Sequence, residues 1–365
     1  MINTFSTNGN LSGLDREKFQ KEIAGKKTDL YILKNKQGME VAVTNYGCAI
    51  LSIMVPDKNG KYANVILGHD NIDNVINSPE PFLSTTIGRY GNRIAKGKFI
   101  LQEEEYKLSV NNGSNSLHGG PTGFHTRIWD AIQIDQSTLQ LSYLSADGEE
   151  GFPGNLEVTM TYRLEKNTNA LFIEYRAKTD KPTIVNLTNH GFFNLAGITN
   201  PTPTVNNNIV TINADYYVPI DDVSIPTGEI LKVENTPMDF RQPHTIGERI
   251  EEKDQQLING NGYDHCFILN KTEMGELSLA ATCIEPISCR SMEVYTTELG
   301  VQLYTGNWLN GFSGAHGATF PARSAICFEA QCIPDTPNKP HFPTATLLPG
   351  DEYQQITIYN FGIKE

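Results

Sequence analysis

The chain has 365 residues, 39% of them hydrophobic and 19% charged, with a formal net charge of −13. That balance excludes a disordered chain and is enough to bury a substantial core. The surplus of negative charge repels nucleic acid and anionic membrane surfaces, so neither is expected as a partner, whereas an uncharged small molecule is compatible with it.

Met1 to Thr7 carry no basic stretch and no apolar run, so no secretory signal is expected there. No segment approaches the ~18 consecutive apolar residues of a membrane span. Asp15 to Lys26 sets Phe19 and Ile23 four apart on an otherwise polar segment, which predicts a short surface helix. Glu40 to Met54 is rich in Val, Thr, Tyr and Ile and reads as strand. Leu139 to Leu144 alternates strictly. Val158 to Leu164 and Leu171 to Lys178 are two alternating runs separated by polar residues, which predicts a hairpin. Thr245 to Ile258 carries a second, less regular helical pattern. Glu293 to Trp308 reads as two strands joined at Leu299-Gly300, and Gln355 to Phe361 as a final strand. No linker, repeat or composition break divides the chain, and its 31 glycines and 19 prolines are spread between the strands. The expectation is an all-β protein: one large antiparallel sandwich, a single unit over residues 1–365.

The six cysteines, Cys48, Cys266, Cys283, Cys289, Cys327 and Cys332, form no C-x-x-C pair. They read as free thiols of a reducing compartment, which makes a cytoplasmic location the expectation, and they offer no paired metal ligands. The eight histidines lie far apart and form no H-E-x-x-H arrangement. There is no G-x-S-x-G elbow and no phosphate loop.

Five places could carry chemistry. His118 precedes Gly119-Gly120, where absent side chains allow other groups to approach the imidazole. His190 lies among amides and aromatics in VNLTNHGFFNLAG, with no local carboxylate. Each is either a hydrogen-bonded structural histidine or a proton-transfer group. Glu329 sits inside the apolar run Ala325 to Cys332, so it either pairs with a cation or has its pKa raised for proton transfer. Asp264 is open between a turn aspartate and a site carboxylate. Arg93 is open between a hydroxyl donor and an ordinary ion pair.

The motifs GRYGNRIAKGKF (from Gly88), NSLHGG (from Asn115), VNLTNHGFFNLAG (from Val185), YDHCF (from Tyr263), GVQLYTGNW (from Gly300) and FEAQCIPD (from Phe328) occur in this order. The set resembles the aldose 1-epimerase (galactose mutarotase) family. The resemblance implies a galactose mutarotase-like β-supersandwich of mainly antiparallel strands with a few short helices. It implies an isomerase that interconverts the anomers of free hexoses such as D-glucose and D-galactose, without cofactor or metal, as a monomer or homodimer. In that family the histidine matching His190 is the general acid and the glutamate matching Glu329 the general base. Residues matching Asn92, Arg93, His118, Asp264 and Gln302 hold substrate hydroxyls. Two positions depart from the family pattern: Leu299 stands where proline is usual, and His125 where an acidic residue is common.

Three rivals remain. A glycoside hydrolase or lyase would need two carboxylates across the scissile bond, and the expected partner of Glu329 is a histidine. A non-catalytic sugar-binding module would not need that pair. A hexose-6-phosphate 1-epimerase would need a cationic cluster that the acidic balance disfavours.

Overall fold

The computed structural model describes residues 9–364; Met1 to Thr7, where no secretory signal is expected, lies outside them. Its backbone is a nine-stranded sheet, antiparallel throughout, ordered Asp130–Asp135, Thr138–Ser145, Leu156–Leu164, Ala170–Thr179, Tyr353–Ile363, Arg290–Thr296, Ser278–Ile284, Ile209–Ile212, His244–Thr245. The expected hairpin is at its centre, in register from Leu156↔Thr179 to Leu164↔Leu171. Strict alternation explains that register: Leu156, Val158, Met160, Tyr162 and Leu164 all point into the core, and a slip of one residue would turn all five to the opposite face.

A five-stranded antiparallel sheet, ordered Leu231–Lys232, Tyr216–Val218, Asp264–Ile268, Gly300–Tyr304, Cys327–Gln331, packs over the first. The layers are tied where the Tyr359 hydroxyl donates to Phe328 O (3.1 Å) and Gln355 Nε2 to Ala330 O (3.3 Å). Phe267, Val301, Leu303 and Phe328 face inward, sharing one core with Met292, Val294 and Tyr359. Each such side chain contributes about 1.5–3 kcal/mol by leaving water. Because side chains alternate, the intervening residues must emerge on the outer face. Gln302 pairs with Glu329, and Asp264 with Tyr304, which lies two residues from Gln302. Hence Asp264, Gln302, Tyr304 and Glu329 share that face. A third sheet is made of Leu30–Lys34, Glu40–Thr44, Ile50–Pro56 and Tyr62–Asn64, and short two-stranded pairings complete the β architecture among the described residues.

Three local readings need correction. The helix expected over Asp15 to Lys26 is only the 3-10 turn Arg16–Phe19, capped by Asp15; the rest is a hairpin, Lys21–Ile23 against Lys26–Thr28. Its two-residue loop, Ala24-Gly25, has positive φ at both positions (50° and 80°), a hairpin turn that matches strand twist and overrides the i, i+4 spacing. The run Glu40 to Met54 is two strands rather than one. It breaks at Gly47 and Cys48, both at positive φ (60° and 50°), and a Cβ on Gly47 would lie 2.3 Å from His125 O. The segment Thr245 to Ile258 holds two short helices, Ile246–Arg249 and Gln255–Gly260, the second capped by the Asp254 side chain. The two strands within Glu293 to Trp308 are both present, but Arg290–Thr296 belongs to the large sheet and Gly300–Tyr304 to the small one. Thr297 to Leu299 crosses between layers.

All six cysteines are free, and all but the half-buried Cys332 are buried. Among the described residues no helix is long and apolar enough to cross a membrane.

Candidate active site

The outer face of the small sheet forms the floor. Gln302 Nε2 donates to Asp264 Oδ1 at 2.7 Å, and Gln331 Nε2 donates to Gln302 Oε1 at 3.2 Å. These bonds orient the Gln302 amide. Arg93 reaches Asp264 with Nη1 3.8 Å from Oδ2, while its Nε donates to Asn112 Oδ1 at 3.1 Å. Arg93 is therefore an ion-pair partner and a site cation at once. His265 points the other way into the core, and its Nδ1 accepts the Asp264 N–H at 3.1 Å.

The histidines form the facing wall. Thr188–Asn189 pairs with Thr86–Ile87, and the His190 N–H donates to Thr85 O at 2.9 Å. The His190 ring stacks on Phe192 (centroids 4.6 Å apart, planes 7° apart) and meets Tyr304 edge-on at 6.0 Å. This packing presents Nε2 to Glu329 Oε1 at 3.6 Å. His118 is held at φ 53° beside Gly119, whose absent side chain admits the Gly88 carbonyl: a Cβ there would lie 2.0 Å from Gly88 O. Its Nδ1 accepts the Asn92 N–H at 3.1 Å, and its own N–H donates to Asn92 O at 3.0 Å. With Nδ1 occupied as an acceptor, the neutral ring carries its proton on Nε2 and offers a donor. The His118 and His190 rings lie 5.1 Å apart.

All seven residues singled out in the sequence thus gather in one region. His125 does not join the polar groups; it is buried against Phe82, with burial holding its pKa down to about 4. Sequence reasoning missed Phe82, Phe192, Tyr304 and Gln331 as parts of the site. The last three lie inside the quoted motifs, but nothing in the sequence around Phe82 marks it.

Burial dominates the electrostatics. It pushes His190 down to about 3. It raises Glu329 well above the usual carboxylate range, reinforced by the negative charges of Asp264 and Glu80 and opposed by Arg93. Asp264 is raised by burial against the pull of Arg93 and the Gln302 bond, and His118 is lowered chiefly by burial. Reference pKa values alone would place a carboxylate beside a protonated imidazole. Inside this site burial opposes charge on both groups and pulls toward carboxylic acid facing imidazole. The pair shares one proton either way, and neither Glu329 Oε2 nor His190 Nδ1 has a hydrogen-bond partner among the described residues.

His118, His190 and Glu329 bring one potential metal-ligand atom each within 4.8 Å of one another. Yet His118 has Nδ1 taken by the Asn92 amide and its proton on Nε2, so it offers a metal no lone pair in this tautomer. Two donors remain, one fewer than a catalytic zinc site needs. The same groups suit proton transfer to and from a hydroxylated ligand.

The fold has solved counterparts. An aldose epimerase homologue from C. elegans superposes with a TM-score of 0.84 at 28% identity, covering 93% of this chain and 100% of that one. Galactose 1-epimerase from Lactobacillus acidophilus does so with a TM-score of 0.82 at 29% identity, covering 94% of this chain and 97% of that one. The architecture is that of the galactose mutarotase-like proteins. The chain belongs to the aldose 1-epimerase family, whose model matches residues 29–360. It is 41% identical to galactose mutarotase of Bos taurus over 326 residues, which is 89% of this chain and 92% of the relative. It is 36% identical to aldose 1-epimerase of Escherichia coli, over 91% of this chain and 94% of that protein.

Proposed function

We propose that this chain, acting as one unit in the cytoplasm, interconverts the α and β anomers of free hexoses, D-glucose and D-galactose among them. Glu329 takes the proton of the C1 hydroxyl as base while His190 gives one to the ring oxygen as acid. The C1–O5 bond breaks, the C1–C2 bond rotates, and the reverse transfers close the ring on the other face of the carbonyl. Asn92, Arg93, His118, Asp264 and Gln302 hold the remaining hydroxyls. Acid–base help of this kind supplies roughly 10²–10⁴-fold.

The observation that carries this reading is the buried approach of His190 Nε2 to Glu329 Oε1, at 3.6 Å, beside donors and acceptors suited to hydroxyls. Opening the ring moves the proton from imidazole to carboxylate. The open-chain stage therefore leaves a neutral acid and a neutral imidazole, the distribution toward which burial pulls. The step starts from carboxylate and imidazolium, the charged form that burial opposes, and ring opening discharges it.

Polarimetry with freshly dissolved α-D-glucose and α-D-galactose tests the reading. Accelerated approach to anomeric equilibrium is expected. Saturable binding of either sugar without acceleration would make the chain a binding protein and end the proposal.

A further inference from the structure

His190 is parallel to two phenyl rings. Phe192 lies in the interior, fully buried, while Phe82 stands at the surface with 9% of its area exposed and its ring 6.5 Å from the imidazole, planes 7° apart. Phe82 also meets His118 and His125 edge-on, each with centroids 4.6 Å away. It is bonded to the histidine through one residue: the His190 N–H donates to Thr85 O, and the Thr85 N–H and hydroxyl both donate to Phe82 O (3.2 and 3.1 Å). On its other side the Phe82 N–H donates to Glu80 Oε1 at 3.2 Å.

The geometry points to Phe82 as a positioning residue for the catalytic imidazole: one ring, braced against three histidines, keeps water off His190 and holds its plane so that Nε2 faces Glu329. The inference rests on the epimerase reading above. Phe82 has no polar side-chain atom and transfers no proton. Its part is to exclude water, which would otherwise solvate the imidazolium and offer competing proton partners. The titratable groups facing the imidazole are Glu329 and His118, together with the ring of Tyr304. Asp264, Arg93 and Glu80 act on it through Glu329. A change at Phe82 removes none of these groups, although His118 packs against its ring and Glu80 accepts its N–H, so a shift in His190 reports the lost cover together with any movement of those two.

The test is Phe82→Ala, with Phe82→Leu as the conservative rescue. Two readouts are needed: the His190 ring titration followed by NMR without sugar, and kcat and KM by polarimetry. In the alanine variant the imidazole is expected to titrate nearer its ordinary 6.5 than the buried value of about 3. A fall in kcat of about 10-fold or more is expected, with KM within about 2-fold, since small misplacements of a reacting group cost up to about 10²-fold. Phe82→Leu, dry but not aromatic, is expected to stay near the parent in both readouts. An unmoved titration overturns the inference. So does a raised KM with unchanged kcat, which would make Phe82 a wall of the sugar pocket. If the alanine variant does not fold, Phe82→Val carries the same readouts. Because the titration needs no turnover, it still judges Phe82 if the parent protein proves inactive, a result that would instead remove the epimerase reading.

Discussion

Replacing Glu329 by glutamine removes one proton site and very little else. The side chain is 2% exposed, sits opposite Gln302 in the sheet and is pushed by burial toward its neutral form. A glutamine amide matches the carboxyl group in size and carries no charge for burial to oppose. The expected change in stability is small, under about 1 kcal/mol, which for a chain of this length moves Tm by only a few degrees. Catalysis should behave otherwise. An amide cannot accept the C1 hydroxyl proton, so the whole general-base contribution is lost, about 10²–10⁴-fold in kcat, or roughly 2.7–5.4 kcal/mol of barrier. Initial polarimetric rates on α-D-galactose, corrected for the spontaneous reaction, measure this directly. A Glu329→Gln protein that is folded by circular dichroism and turns over within about threefold of the parent would refute the assignment of Glu329 as base.

Arg93→Ala should raise KM more than it lowers kcat, because Arg93 lies beside Asp264 rather than against the His190–Glu329 pair; an unchanged KM in steady-state kinetics would mean that its ion pair is only structural. Gly119→Ala should cost at least about 1–3 kcal/mol in a urea titration, since a side chain at φ 83° is strained and its Cβ would meet Gly88 O at 2.0 Å; an unchanged midpoint would contradict the tight turn beside His118. Acidification should destabilise the fold. Burial lowers five histidines from an ordinary 6.5, His69 and His125 to about 4, His190 and His265 to about 3, and His118 well below it. The unfolded chain therefore binds more protons below pH 6.5, and stability falls as pH drops toward 4. Glu80 and Glu298, raised to about 7 from 4.5, and Glu329 and Asp264, also raised, act in the opposite sense over an overlapping range, but they are four groups against five. Urea midpoints measured between pH 7 and 4.5 should decrease on the acid side, and a rising midpoint would refute the sign.

Legibility in the sequence followed the range of the forces involved. The hairpin Leu156–Leu164 with Ala170–Thr179 was readable because period-two alternation is local and repeats over nine residues. The helix expected after Asp15 failed because one pair, Phe19 and Ile23, was asked to outweigh a turn whose positive φ angles no side-chain pattern announces. Glu329 stood out as a carboxylate in an apolar strand, and Asp264 and Gln302 as members of motifs. Phe82 could not be found: a phenylalanine between two prolines and a leucine carries no mark of the three histidines it will touch.

By itself the sequence determined the β class, the strand alternation that sends Asp264, Gln302 and Glu329 to a face away from the core, and the family to which the chain belongs. The tertiary structure alone decided that His190 meets Glu329, that His118 presents a donor rather than a lone pair, and that burial opposes charge on both members of the pair. Those outcomes depend on desolvation and on contacts between residues far apart in the chain. Both arise only when the sheets close over one another and remove the site from water.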